Sequence, residues 1–356
     1  MLSDPEVIRN ISSNNIIADD RHQYMTIAET TTPPIIVVLD GATLNPGENP
    51  WTELESLGTV RIYERSTAEE AVQRSQGASV VVVNKCRLAA DFFLQTPSVR
   101  MVAVSATGWD CVDGQAASQA GVVVCNVPVY GTDSVAQFTF ALILELSSHV
   151  AIHQQAVQDG EWTRSPNFSF WKRPLMELAG HTLGLIGYGR IGQKVAELGG
   201  AFGMNVIAAR SKNGAAQPEH HGVQITDLET VLRTSDILSL HCPLTSETRG
   251  LICERTLRLM KPTAILINTS RGALVAENDL TEALNSGRLA AAGLDVVSQE
   301  PITADNPLLN ARNCLLTPHI AWATQAARRR LLAETVKNVA AFLNGTPTNV
   351  VNRPPV

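Results

Sequence analysis

From Ile35 onward, short runs of β-branched and other apolar residues alternate with helix-forming stretches, and that alternation leaves few folds open. Ile35–Leu39, Val60–Tyr63, Val80–Val83, Met101–Val104 and Val122–Val124 read as strands. Trp51–Leu57, Thr67–Gln76, Ala89–Gln95 and Val112–Ala120 read as the helices between them. Strands that are apolar along their whole length and joined by helical crossovers belong to a parallel sheet covered on both faces. One long helix is predicted next, opened by the cap candidates Thr132-Asp133-Ser134 and closed near Gly160, connecting this unit to another. The alternation then restarts in Leu183–Ile186, Asn205–Ala209, Gln224–Ile225, Asp236–His241, Ala264–Asn268, Ala290–Leu294 and Leu315–Thr317. Helices over Ile191–Phe202, Leu228–Thr234, Arg255–Leu259 and Asn278–Ser286 separate these strands, and a last helix covers Ala323–Leu343. The expected class is α/β, with two doubly wound parallel-sheet domains and a ligand cleft between them.

A chain of 356 residues suits two such domains, and 44% hydrophobic against 17% charged residues excludes disorder over most of its length. Residues 1–33 are polar and read as a flexible N-terminal extension; 34–130 plus 323–356 form the first domain, and 131–322 the second. A net charge of −6 with no basic run argues against nucleic acid as a partner. No apolar run reaches the roughly 18 residues a membrane span needs; Phe140–Leu146 comes nearest and Glu145 interrupts it. The N-terminus lacks a secretion pattern. The six cysteines (86, 111, 125, 242, 253 and 314) show no CxxC pair or metal spacing, so they read as reduced thiols of a cytoplasmic protein without a metal site.

Gly187-Tyr188-Gly189-Arg190-Ile191-Gly192 follows a buried strand, opens a helix and precedes another strand. A bare GxGxxG is weak evidence; in this context it points to a dinucleotide. Gly187 permits the turn, Gly189 the approach of a pyrophosphate, and Gly192 the packing of helix on strand. The phosphates would meet unpaired N–H groups at the positive end of the helix. Where an NAD-type site carries an acid, this chain has Arg210-Ser211-Lys212. A guanidinium, a hydroxyl and an ammonium can all bond a 2′-phosphate, so NADP is the expected cofactor, with NAD possible if Arg210 merely stacks on adenine.

Arg271, Glu300 and His319 each follow a strand of the second unit. Alone, each has a dull explanation as a surface cation, a turn acid or a core imidazole. Ligands of open α/β sheets bind beyond the carboxyl ends of strands, so together the three point to one site.

At these residues the chain resembles the D-isomer-specific 2-hydroxyacid dehydrogenases, from Ile35 to about Leu343. Leu39-Asp40-Gly41, Asn45-Pro46-Gly47, Tyr130–Gln137, Phe168-Ser169-Phe170-Trp171 and His319–Thr324 are similar to its glycerate dehydrogenase/hydroxypyruvate reductase branch. The resemblance implies a flavodoxin-like substrate domain beside a Rossmann domain. It also implies reduction of a 2-keto acid, hydroxypyruvate or glyoxylate, by hydride from a nicotinamide. Arg271 would hold the carboxylate and carbonyl, His319 would donate the proton, and Glu300 would orient the imidazole and stabilise its cation. By the same resemblance, Ala106, Thr107 and Gly108 bind the substrate carboxylate and Trp322 walls the site. Asp295, Thr132, Thr269 and His241-Cys242-Pro243 contact the cofactor. Trp109-Asp110 stands where the branch usually has Tyr-Asn, which bears on substrate preference. Alternatives are another 2-keto acid, pyruvate or a bulkier one, and a nicotinamide-sensing corepressor on the same fold. The long helix suggests a homodimer.

Overall fold

The computed structural model describes residues 33–210, 219–220 and 222–352; the extension expected over 1–33 lies, apart from its last residue, outside them. The chain divides into two compact units. One comprises the described residues through Pro128 together with those from Ala333 onward, and the other is Val129–Leu332.

The first unit holds strands β1 (Ile35–Val38), β2 (Thr59–Ile62), β3 (Val80–Val83), β4 (Met101–Val104) and β5 (Val123–Cys125). They pair in parallel in the order β2-β1-β3-β4-β5, a flavodoxin-like arrangement. Every residue of β3 and β4 is buried, as a sheet covered on both faces requires, whereas the edge strand β2 is largely open and carries Arg61. The helix Ala68–Arg74 starts with a capping box. The Thr67 hydroxyl accepts the Glu70 amide, and the Glu70 carboxylate accepts the Thr67 amide.

The second unit holds β6 (Thr182–Ile186), β7 (Asn205–Ala209), β8 (Glu219–His220), β9 (Val223–Thr226), β10 (Ile237–Leu240), β11 (Ile265–Asn268), β12 (Ala291–Leu294) and β13 (Cys314–Leu316). Their order is β13-β12-β11-β10-β6-β7-β9-β8, parallel except for β8, which runs antiparallel on the edge. Leaving β8 aside, this is the doubly wound nucleotide-binding order, and strand order reverses between β6 and β10. β8 had no counterpart in the sequence reading, because two residues carry too little apolar pattern to register.

The expected single helix from Thr132 to near Gly160 is two, Thr132–Ser148 and Val150–Gln158, bent by 56°. His149 adopts a left-handed backbone (φ 52°) and gives its N–H to the Glu145 carbonyl, which ends the first helix, while the Glu145 carboxylate accepts from Ala151 N–H in the second. The expected cap residues fall one step late. The N-cap is Gly131, without a side-chain bond, and the Ser134 hydroxyl goes to the Ala321 carbonyl instead. As its apolar residues lead one to expect, the first helix is buried, and it lies on the second sheet. The missing side chain of Gly293 leaves room for Leu142 and Leu146, and Phe140 stacks on Phe202 at 5.1 Å. Among the described residues no single helix is long and apolar enough to cross a membrane. The last helix, Gln325–Leu343, begins two residues later than expected, with the Thr324 hydroxyl accepting the Ala327 amide.

Candidate active site

At the reversal point each glycine of the loop after β6 has its own steric reason. Gly187 has φ +101°, and a Cβ there would lie 2.4 Å from the Cys242 amide nitrogen. A Cβ at Gly192 would lie 2.2 Å from the Gly187 carbonyl oxygen, so only glycine lets the helix Arg190–Ala201 close on the turn. At Gly189 nothing stands within 4 Å, which leaves the backbone approachable from outside. Gly189 also caps that 12-residue helix without any side-chain bond, so its first amides keep their donors for an anion. These features fit a dinucleotide pyrophosphate.

The rest of the expected cofactor set surrounds this loop to varying degrees. His241 and Cys242 press against Gly187; the His241 imidazole shares a 2.9 Å hydrogen bond with the Ser239 hydroxyl, and burial pushes it down to about 4. Pro243 is exposed, and its carbonyl accepts the Thr248 hydroxyl. Arg210 is exposed at the end of β7, tied by its amide to the Thr226 carbonyl; Ser211 and Lys212 lie outside the described residues. Thr132, Tyr188 and Arg190 line a common hollow of about 770 Å³, with Ile191 adjoining them in the helix. Thr269 is buried, with its hydroxyl 3.0 Å from that of Thr139.

The three charged candidates stand on the loops after three adjacent strands, β11, β12 and β13. Hydrogen bonds lace these loops together, with Asp295 N–H to the Asn268 carbonyl at 2.9 Å and His319 N–H to the Asp295 carbonyl at 2.8 Å. A Cβ at Gly272 would meet the Val297 carbonyl carbon at 1.9 Å, so the Arg271 loop sits directly on the loop that leads to Glu300. Arg271 is half-buried; its Nη1 donates to the Ser270 carbonyl, and its own carbonyl accepts Asn268 Nδ2.

His319 and Glu300 form the central contact. His319 Nδ1–H donates to Glu300 Oε2 at 2.6 Å, and the Val297 amide reaches Glu300 Oε1 at 3.3 Å. With Nδ1 committed to the carboxylate, Nε2 is the nitrogen left to exchange a proton with a ligand, and no described residue bonds to it. His319 itself has φ 56°, a left-handed backbone that a non-glycine residue adopts only when its surroundings impose it. The imposing group is Asp295, almost wholly buried. Its carboxylate accepts the Thr317 hydroxyl at 2.7 Å and the amides of Ile320 and Ala321 at 2.9 and 2.8 Å. Burial raises the Asp295 carboxyl above its ordinary range, against the pull of the Thr317 hydroxyl, those two amides and the His319 charge. Both carboxylate oxygens are thus engaged in shaping the histidine loop, a task the sequence reading did not foresee for this residue.

Trp322, expected as a wall, packs edge-on against Tyr130 at 6.3 Å between ring centres. Burial pushes the Tyr130 hydroxyl up to about 12, opposed by the charge of Arg271. Tyr130 thus neighbours Trp322 and Arg271, a placement that sequence reasoning passed over; only its place in the Tyr130–Gln137 motif hinted at it.

In the first unit, the expected carboxylate loop follows β4. The carbonyls of Ser105, Ala106 and Thr107 are claimed in turn by Asn84 Nδ2, Val127 N–H and Asn126 Nδ2, at 2.6, 2.9 and 2.7 Å. The amides of Ala106, Thr107 and Gly108 donate to no described acceptor. A run of amides without acceptors above satisfied carbonyls fits an anion.

Residues 140–321 match the family model described as "D-isomer specific 2-hydroxyacid dehydrogenase, NAD binding domain". The hydroxypyruvate reductase of Blautia hydrogenotrophica is 47% identical over 322 residues, covering 89% of this chain and 99% of that one. The chain belongs to the D-isomer-specific 2-hydroxyacid dehydrogenases. Among solved members of the fold, the NADPH-dependent glyoxylate/hydroxypyruvate reductase of Sinorhizobium meliloti, with NADP and malonate, superposes with a TM-score of 0.78 at 29% identity. It covers 91% of this chain and 98% of that one. The D-lactate dehydrogenase of Aquifex aeolicus, with NAD and lactic acid, gives 0.78 at 30% identity, covering 90% and 100%. Arg271, Glu300 and His319 stand on the loops after three adjacent strands of the matched domain, and the loop opened by Gly187 follows the strand at which the order reverses.

Proposed function

We propose that this dehydrogenase reduces hydroxypyruvate to D-glycerate and glyoxylate to glycolate, prefers NADPH, and works as a homodimer in the cytoplasm. The pairing of His319 Nδ1 with Glu300, which leaves Nε2 as the exchanging nitrogen, carries this reading. A nicotinamide, when bound, would supply hydride chemistry at the carbonyl carbon of the keto acid. Negative charge then builds on the carbonyl oxygen, and His319 Nε2–H donates the proton that completes the alcohol. Glu300 stabilises the imidazolium before that transfer and holds the ring in place. Arg271 offers a planar fork of donors to carboxylate and carbonyl. In the first unit, the amides of Ala106, Thr107 and Gly108 can hold a carboxylate. Gly187–Gly192 would hold the pyrophosphate, and Arg210 a 2′-phosphate.

The name of the Blautia relative supports hydroxypyruvate as substrate, and that of the Sinorhizobium neighbour supports glyoxylate and NADPH. Arg210 is worth about 1.5–3 kcal/mol as a charge-assisted contact, roughly ten- to a hundred-fold in cofactor choice. A dimer is supported by the exposed aromatics Trp162, Phe168 (91% open) and Trp171 (70%) clustered in one connecting segment. The six unpaired cysteines suit a reducing compartment. An assay crossing NADH and NADPH with hydroxypyruvate, glyoxylate and pyruvate tests the substrate and cofactor together. Preference for pyruvate overturns the substrate, and equal rates with both cofactors overturn the NADP preference. Sedimentation of the purified chain tests the dimer, and cell fractionation the compartment.

A further inference from the structure

Asp40, in the Leu39-Asp40-Gly41 motif, has no part in the chemistry above, yet its environment is unusual for a residue after an inner strand. Its carboxylate is buried and accepts three consecutive amides, those of Asn84, Lys85 and Cys86, at 2.7, 2.5 and 2.7 Å. A buried carboxylate holding three N–H groups clamps the loop after β3. The first residue of that loop, Asn84, is 3% exposed and sends its Nδ2 to the Ser105 carbonyl at 2.6 Å. Its other end, Oδ1, is buried with no partner among the described residues, so the bond to Ser105 alone orients the amide. A buried unsatisfied acceptor is a cost that valine or leucine at this place would avoid. What its side chain does here is donate from Nδ2.

That donor turns the first carbonyl of the Ser105–Gly108 loop inward. Asn126 does the same for Thr107, and is held by Asn338 in turn, while the Ser105 hydroxyl is 3.1 Å from that of Thr335. Turning a carbonyl inward rotates the following N–H outward, because the two belong to one planar peptide unit. We propose that Asp40 and Asn84 are positioning residues for substrate. Asp40 fixes the loop, Asn84 rotates the Ser105–Ala106 peptide, and the outward amides of Ala106, Thr107 and Gly108 gain their aim at a carboxylate. This rests on the reading of those amides as the carboxylate anchor.

The test uses the full-length protein with NADPH bound, the carboxylate probe oxamate and the substrate hydroxypyruvate. Asn84→Asp keeps the shape but loses the donor, Asn84→Ser shortens it without adding charge, and Asp40→Asn removes one acceptor oxygen. For folded variants the expected result is a rise in KM for hydroxypyruvate of about tenfold, with kcat within about threefold. NADPH affinity stays as in the wild type. In amide NMR spectra the Ala106, Thr107 and Gly108 signals respond to oxamate in the wild type, and in the variants only at about tenfold higher concentration. Unchanged KM and oxamate affinity in the variants, with those amides still responding in the wild type, overturns the positioning role alone. So does a fall in kcat and cofactor affinity alongside KM, the mark of general damage. Wild-type amides indifferent to oxamate overturn the carboxylate anchor itself, and the positioning role with it.

Discussion

Two regions of the second unit do different work by different means. The loop after β6 offers a ligand its backbone, and its side chains matter by being absent, at Gly187, Gly189 and Gly192. The loops after β11, β12 and β13 offer side chains, and their backbone is bent, to φ 56° at His319, so that an imidazole and a carboxylate meet at 2.6 Å. On the proposed function the first region binds, and its requirements are steric and local. The second, on the same proposal, transfers a proton, and its partners sit on different loops, so it needs a scaffold, which the buried Asp295 supplies.

If that division holds, damage to each region separates in kinetics. His319→Ala should give the largest effect, lowering kcat by roughly 10²–10⁴ while leaving NADPH affinity as it was; a comparable loss of cofactor binding in a titration would erase the distinction. Gly192→Ala is the counterpart. A methyl placed 2.2 Å from the Gly187 carbonyl must push the turn away. Cofactor affinity should fall by about a hundredfold or more, with any rate at saturating NADPH far less affected.

Arg210→Asp sharpens the binding side. The ratio of kcat/KM for NADPH over NADH should fall by about ten- to a hundred-fold, since an acid repels a 2′-phosphate and accepts the ribose hydroxyls. Glu300→Gln sharpens the chemical side. Without the carboxylate the ring loses the acceptor that fixes its Nδ1 side, so kcat should fall about tenfold with NADPH affinity unchanged. An unmoved kcat would leave Glu300 a spacer.

The smallest effect concerns stability. Burial holds the His241 imidazole down at about 4 in the folded chain, below its ordinary value near 6.5. Between those values the unfolded chain binds a proton that the folded chain does not, so stability falls as pH falls through that window, by up to about 3 kcal/mol. The melting temperature of His241→Asn should therefore depend less on pH from 6.5 to 4 than that of the wild type. Parallel curves would show that His241 is not what the acid limb reports.

Legibility in the sequence followed the same division. β3, β4, β6 and β11 were readable because each is a continuous apolar run, and the glycine loop because turn, approach and close packing all demand the same small residue at fixed spacing. The bend at His149 was not readable. Nothing in the Thr132–Gln158 pattern marks a left-handed residue, and the helix ends at His149 with its N–H on the Glu145 carbonyl. Asp295, Tyr130 and Thr269 were named or passed over by position in a motif. Their actual partners, Ile320 and Ala321, Trp322, and Thr139, come from other segments of the chain. Asp40 looked like part of a motif and no more, for its three amides lie 44 to 46 residues ahead.

What this chain's sequence determined by itself was whatever local sterics and periodicity can encode: two parallel sheets, a turn that only glycine can make, and three reactive residue types each placed just past a strand. Which nitrogen of His319 is committed, which carbonyl of the Ser105 loop is turned inward, and which carboxylate shapes rather than reacts were decided only by the tertiary structure. Hydrogen bonds between distant segments exist only once the sheets have brought strand ends together, and no local pattern specifies their direction.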